Sequence, residues 1–263
     1  MSSRLIRVAA LCVFALVLSG IRPTAAQVEG TDTDNRWQFT AQLYLWGASI
    51  GGETRSGTGI SVELEDLLNN LEMVFMGSFE ARKGKWSLLT DVIYLDLSGS
   101  ETLTVSIPIG PGIPVTTSGR LDLTSWVVHL AGGYNLLTSG KSVLDLIAGA
   151  RYLDLDADVF LGLEGLGPAQ SINFSVSESI WDGIVGVKGR VALGERWFLP
   201  YYLDVGAGDS DFTWQAAAGV SFQAARWADI GLVYRYLAWE FESGSLINDF
   251  DISGPAFGAS FRF

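Results

Sequence analysis

In 263 residues the chain has one cysteine and one histidine, and its 17 Lys and Arg are outnumbered by 29 Asp and Glu. Each scarcity excludes something. A lone thiol, Cys12, cannot close an intramolecular disulfide, so an exported product must be stable without one. A formal charge of −12 argues against nucleic acid as a partner. With His129 as the single histidine, zinc spacing does not occur, nor does a phosphate-cradling loop or a dinucleotide fingerprint. No cofactor and no metal site is expected. Charged residues are also few, at 17% against 48% hydrophobic. Yet beyond the first 26 residues no apolar run reaches the length of a membrane-spanning helix.

The amino terminus reads as an export signal. Arg4 and Arg7 precede an apolar run from Val8 to Leu18, and Thr24-Ala25-Ala26 offers a small-residue cleavage site before Gln27. Cys12 follows Leu11 inside the apolar run, which argues against a lipoprotein. The expectation is a signal peptide over 1–26 and a single domain over 27–263, with no linker composition to divide it. Without Arg4, Arg7 and Arg22 that domain carries 14 basic and 29 acidic residues, a net charge of −15.

A hydrophobic chain without long apolar runs must distribute its apolar residues, and here the period is two. In RWQFTAQLYLWG, Trp37, Phe39, Ala41, Leu43 and Leu45 alternate with Gln38, Thr40, Gln42 and Tyr44; FTWQAAAGVSFQ and IWDGIVGVKGRVAL repeat the pattern. The spacing predicts ten strands, near 36–48, 72–82, 86–99, 120–137, 142–156, 178–193, 196–208, 211–223, 227–241 and 249–263, with eight as the alternative. Tight turns at 83–85, 138–141, 194–195 and 224–226 contrast with long connections at 49–71, 100–119 and 157–177. Short turns at one end, longer loops at the other and an even strand number predict a closed antiparallel transmembrane β-barrel with periplasmic turns and extracellular loops.

The aromatics test this independently. With the termini on the short-turn side, Trp37, Trp86, Tyr134, Trp197, Trp227 and Phe263 fall at one end, and Tyr94, Trp126, Tyr152, Trp181, Trp214 and Tyr236 at the other. Trp86 and Tyr94 would stand about 20 Å apart along a tilted strand, close to the height of a lipid-facing band between aromatic girdles. The last residues, GPAFGASFRF, keep Phe257, Phe261 and Phe263 in phase. This ending resembles the carboxy-terminal signature of Gram-negative outer-membrane barrels, and the whole pattern is most similar to small barrels of the OmpA/OmpW kind. The resemblance implies location in the outer membrane, contact with its lipid and lipopolysaccharide, and recognition of the terminal phenylalanines by the barrel assembly machinery. A monomer is expected. Pro255 on the outward face departs from a regular last strand, and a bulge is expected there.

If the apolar face meets lipid, the opposite phase fills the lumen. It contains Glu72, Glu80, Asp91, Asp145, Asp182, Asp204 and Asp229 against Arg82, Arg151, Lys188, Arg190, Arg235 and Arg262, with His129 among them. Seven acids nearly balance six bases, as a buried set of paired charges requires. Lys188 and Arg190 are expected near Tyr202 and Asp204 across the 194–195 turn. Inward Gly149, Gly186, Gly206, Gly219, Gly231 and Gly258 are expected to leave room for long basic side chains. Ten strands enclose a far narrower lumen than a porin does.

In SVELEDLLNNLEM, Leu64, Leu67, Leu68 and Leu71 recur at helical spacing, which predicts two turns of amphipathic helix, a rim element or a lid. His129 is the one candidate base for catalysis. Ser125 lies two inward positions away, too distant to be its nucleophile, and the expected cross-strand neighbours, Ala150 and Arg151, supply none. Asp154, Asp156 and Asp158 lack the glycine and the closing glutamate of a calcium loop, so a solvated edge, or loose divalent bridging to anionic lipopolysaccharide, is expected rather than a dedicated calcium site. The functional expectation is an outer-membrane barrel with a narrow or occluded charged lumen and a structural or surface-interaction role, not an enzyme. A passive channel for small or hydrophobic solutes is the alternative, and a lipid- or peptide-acting enzyme the third reading.

Overall fold

The computed structural model describes residues 36–54, 59–62, 71–98, 103–108, 114–163, 170–241 and 247–263. The expected signal peptide and Leu64, Leu67 and Leu68 lie outside these residues. In chain order the strands are β1 (Gln38–Trp46), β2 (Ser49–Thr54), β3 (Gly59–Val62), β4 (Leu71–Lys83), β5 (Trp86–Ser98), β6 (Leu103–Pro108) and β7 (Pro114–Ser139). They continue as β8 (Ser142–Leu163), β9 (Gln170–Ala192), β10 (Trp197–Gly208), β11 (Phe212–Gln223), β12 (Ala228–Glu240) and β13 (Ile247–Arg262). The described residues contain no helix.

Ten of the strands form a closed antiparallel barrel in the order β1-β4-β5-β7-β8-β9-β10-β11-β12-β13, with β13 pairing back onto β1. Closure ends in a reciprocal pair of backbone hydrogen bonds between Phe39 and Phe263, at 2.9 and 3.0 Å. A barrel leaves no unpaired edge within its wall, which is what a strand structure needs where no water can satisfy its backbone. The tight turns after β4 and β7 rest on Gly84 and Gly140 at φ 58° and 59°, in the left-handed region where glycine carries no Cβ penalty.

The outward phase is apolar and exposed, with Leu43, Phe75, Leu88, Leu130, Val185 and Leu232 among the uncovered side chains. Two tiers of ring contacts bound it. On the turn side Trp86 meets Tyr134 at 4.9 Å, Trp197 meets Phe222 at 4.9 Å and Phe39 meets Phe263 at 5.9 Å. On the loop side Tyr94–Trp126, Tyr152–Trp181 and Trp214–Tyr236 meet at 4.5, 4.7 and 4.7 Å. Rings at these depths have one flank in hydrocarbon and the other in the polar interface.

Two expectations are corrected. The connections expected at 100–119 and 157–177 are largely strand: β7, β8 and β9 run far beyond the outer aromatic tier, and β6 pairs with the start of β7. Alternation continues through SINFSVSESI, so the pleat continues with it. Of the stretch expected as a loop helix, Val62 closes β3 and Leu71 opens β4, and residues 63–70 lie outside the described residues. Pro255 makes no bulge, since the β12–β13 register passes through it unshifted. It sits where β13 changes partner from β1 to β2, a position that a residue without an N–H tolerates.

The inward glycines also act differently from expectation. A Cβ on Gly149 would collide with the backbone of Leu130 and Ala131, and one on Gly186 with that of Leu203 and Asp204. These glycines permit neighbouring strands to coil closely, and the space they spare is against backbone, not in the lumen.

Candidate functional site

The lumen is the candidate site, and it is built in layers. Nearest the turns, Glu80 receives Lys188 Nζ at 2.5 Å and Arg82 Nη2 at 2.8 Å. Arg82 also pairs with Asp145, which accepts a further bond from Asn135 Nδ2 at 2.7 Å. Beside this group Arg262 grips both carboxylate oxygens of Asp229, at 2.8 and 2.9 Å. A small apolar patch of Leu89, Ala131, Ile147 and Tyr202 separates this floor from the next layer.

The middle layer is buried more deeply. Arg151, fully buried, donates Nη2 to both oxygens of Asp204 at 2.6 Å and Nη1 to Thr213 Oγ1 at 2.6 Å. Its Nε donates to His129 Nε2 at 2.6 Å. An accepting Nε2 places the imidazole proton on Nδ1, which faces Asp91 at 3.6 Å. Asp91 in turn receives Arg235 Nη1 at 2.8 Å and the Tyr44 hydroxyl at 2.7 Å, while Arg235 Nη2 donates to Gln215 Oε1 at 2.9 Å. Strand register explains the assembly, because Asp91, His129 and Arg151 lie directly opposite one another on β5, β7 and β8.

Above these charges the inward residues turn apolar. Trp46, Met76, Ile93, Leu97, Val127, Leu153, Ile180, Leu237, Trp239 and Phe250 form one buried cluster across the barrel. Trp239 and Leu237 have no exposed surface. The two layers join through the guanidinium planes, with Arg235 4.8 Å from the Trp46 ring and Arg151 5.8 Å from that of Trp239.

Most of the charged residues expected in the lumen thus come together in two groups. Asp182 and Arg190 stand apart. Asp182 Oδ1 accepts from the Ser210 backbone N and hydroxyl at 3.0 and 2.8 Å and so ties the β10–β11 turn. Arg190 donates to the Lys141 carbonyl at 3.0 Å and lies 5.4 Å from the Phe198 ring. Lys188 stands opposite Tyr202 on β10, as expected, but its Nζ reaches across the lumen to Glu80 and not to Asp204. Sequence reasoning missed Tyr44, Asn135, Thr213 and Gln215 as partners and the whole apolar layer, although all lie on the inward phase. The available signal was that Trp46 and Trp239 fall on that phase at the height of the outer aromatic tier.

The arrangement holds charge; it does not present it. The lone pair of His129 Nε2 is engaged by Arg151, so the imidazole has no free nitrogen to take a proton from a nucleophile. Among the described residues no group of three or more potential metal ligands converges.

Comparison with solved structures agrees with the fold. The outer membrane protease OmpT of Escherichia coli superposes with a TM-score of 0.50 at 11% identity, covering 90% of this chain and 99% of that one. The fold is that of a Gram-negative outer-membrane β-barrel. The translocator domain of the autotransporter NalP of Neisseria meningitidis covers 100% of this chain and 98% of its own, with a TM-score of 0.43 at 16% identity. The transport unit of the autotransporter AIDA-I of Escherichia coli gives 0.45 at 9% identity, over 91% and 93% of the two chains. Identities this low speak to architecture alone. No protein-family model and no curated protein matches the sequence.

Proposed function

We propose that this barrel resides in the outer membrane as a closed scaffold whose function lies on its outer, strand-built surface, and that it is neither a pore nor an enzyme. The observation that carries the reading is the apolar layer over the middle charges. Leu237 and Trp239, both without exposed surface, stand on the lumen side of β12 directly above Arg235. A hydrated ion would have to shed its water against Leu153, Val127 and Trp239 and then break the Arg151–Asp204 pair. The one histidine is occupied by a guanidinium and is not free to act as a catalytic base. The girdles and the apolar belt suit outer-membrane lipid and lipopolysaccharide as surroundings, and Phe257, Phe261 and Phe263 on β13 suit recognition by the barrel assembly machinery.

The test is single-channel conductance of the refolded protein in a planar bilayer, with folding verified by mobility on an unheated gel. Silence is expected. Discrete steps would overturn the closed reading and restore the channel for small or hydrophobic solutes. A folded, silent barrel whose Trp239→Gly variant then conducts would locate the closure in the apolar layer.

A further inference from the structure

The barrel wall is not level at its outer rim. β10 stops at Gly208, opposite Asp182, whereas β9 continues up to Gln170 and, among the described residues, pairs there with β8 alone. Trp181 sets the phase of this exposed edge: its N–H donates to Asp209 Oδ2 at 2.8 Å and its carbonyl accepts from the Asp209 N–H at 3.0 Å. In an antiparallel strand every second residue addresses the same side. The backbone groups of Ser179, Ser177, Ser175, Asn173 and Ser171 therefore face that open side, and no described residue pairs with them. Natural edges are usually blunted with Lys, Pro or a bulge. The run QSINFSVSESIW at 170–181 has neither Lys nor Pro, and its pairing with β8 is unshifted.

Beside the same edge lies a recess of about 290 Å³, walled by Leu155, Ile180, Phe241 and Phe250, with Glu178 and Asp209 at its rim. It is near the lower size limit of ligand pockets and matches one large apolar side chain better than a whole small molecule. Its surroundings are acidic. No Lys or Arg occurs between Arg151 and Lys188, and Asp154, Asp156 and Asp158 project from the outward face of β8 next to the edge. Among the described residues beyond the outer aromatic tier, Arg120 is the single basic one.

We propose that the open edge of β9 is a docking site for an extended cationic peptide, which adds as an antiparallel strand and seats an apolar side chain in the recess. The inference rests on the surface-interaction reading above and names its partner. Geometry dictates the peptide's pattern. Residues opposite Ser175, Ser177 and Ser179 exchange backbone hydrogen bonds with the edge and point outward, toward Asp154 and Asp156. Residues opposite Val176 and Glu178 point to the barrel axis and the recess. A peptide alternating Lys and Leu satisfies both, with each lysine amide bonded to the edge and each leucine amide pointing away.

The experiment uses the folded barrel in nanodiscs of phosphatidylcholine, with empty discs as blank, and a fluorescent eleven-residue peptide of alternating Lys and Leu. Binding is read by anisotropy. N-methylation of the lysine amides is expected to weaken binding by about tenfold or more, and N-methylation of the leucine amides to change it by less than about twofold. A Glu/Leu peptide should not bind. Ser177→Pro removes an N–H that faces the open side, so the heat-dependent gel shift should persist while binding is lost. Equal binding of the two methylated peptides, or wild-type binding by S177P, would overturn the proposal and leave a cationic amphiphile held by the recess and surface charge. A conducting barrel that still discriminates the peptides would overturn the closed-barrel reading alone; a silent barrel that does not discriminate them would overturn this one alone.

Discussion

Arg151→Met is the perturbation that tests most directly whether the lumen is dry. Arg151 and Asp204 are both fully buried as side chains and share a two-oxygen contact at 2.6 Å. Removing the guanidinium leaves the buried Asp204 carboxyl without its partner and strips Thr213 Oγ1 and His129 Nε2 of a donor. Breaking a buried pair from one side costs about 3–5 kcal/mol, roughly two to three and a half orders of magnitude in the folding constant. Replacing both partners, as Arg151→Met with Asp204→Leu, leaves no unpaired charge and should recover most of that loss. The assay is urea unfolding in lipid vesicles, followed by tryptophan fluorescence, for wild type, the two single variants and the double variant. The reasoning requires two costly single changes and a strongly favourable coupling between them. If R151M costs less than about 1 kcal/mol, water reaches this layer and screens it as it would a surface pair, and the closed lumen fails with it.

Three further outcomes follow from the same geometry. The unheated refolded protein should migrate faster on a gel than the boiled one, and identical mobility with no β signal in circular dichroism would exclude the barrel. Gly149→Ala places a Cβ against the backbone of Leu130 and Ala131 and should destabilise by about 1–3 kcal/mol in the same urea assay, whereas Gly132→Ala, with one atom near its Cβ site at 3.9 Å, should fall within about 0.5 kcal/mol. His129→Ala removes the acceptor for Arg151 Nε and should cost about 1–3 kcal/mol; loss of a lipid or peptide hydrolysis activity at unchanged stability would instead make His129 a base.

The barrel wall was legible because its signal is local. Strict alternation in β1, β9 and β11 assigns each residue to lipid or lumen, and Trp and Tyr placed at two depths give the height of the membrane. The outer extensions were not legible, since Gly, Pro, Ser and Asp in 100–119 and 157–177 are turn formers that a long pleat accommodates when a neighbouring strand supplies the hydrogen bonds. The inward phase was readable as a set, but not its pairing. Adjacent-strand logic placed Lys188 near Tyr202 and Asp204, and the register does set it opposite Tyr202, yet a lysine stem spans a narrow lumen easily, and Glu80 on the opposite wall offers a carboxylate not already committed to Arg151. Counting charges on the inward face also concealed the apolar ones. Val127, Leu153, Leu237 and Trp239 share phase with His129, Arg151 and Arg235, two or four positions further toward the loops, and only their height in the barrel separates the layers.

That vertical order has a physical logic. A charge layer open to water gains little from pairing, because exposed ion pairs contribute at most about 1 kcal/mol. An apolar layer set over it excludes water and lowers the local dielectric, so each charge must be paired and each pair becomes specific in geometry. The guanidinium groups of Arg151 and Arg235 serve both layers, with donors directed at Asp204 and Asp91 and flat faces near Trp239 and Trp46. A single displaced strand would separate a charge from its partner and a ring from its stack together, which makes closure cooperative in a chain with no disulfide to enforce it. An interior committed in this way to holding ten strands in register is what the proposed closed scaffold requires. Among the described residues, the β9 backbone without a second neighbouring strand, the recess and the carboxylates of Asp154, Asp156 and Asp158 all lie at the outer rim, and that is where the proposed recognition would act.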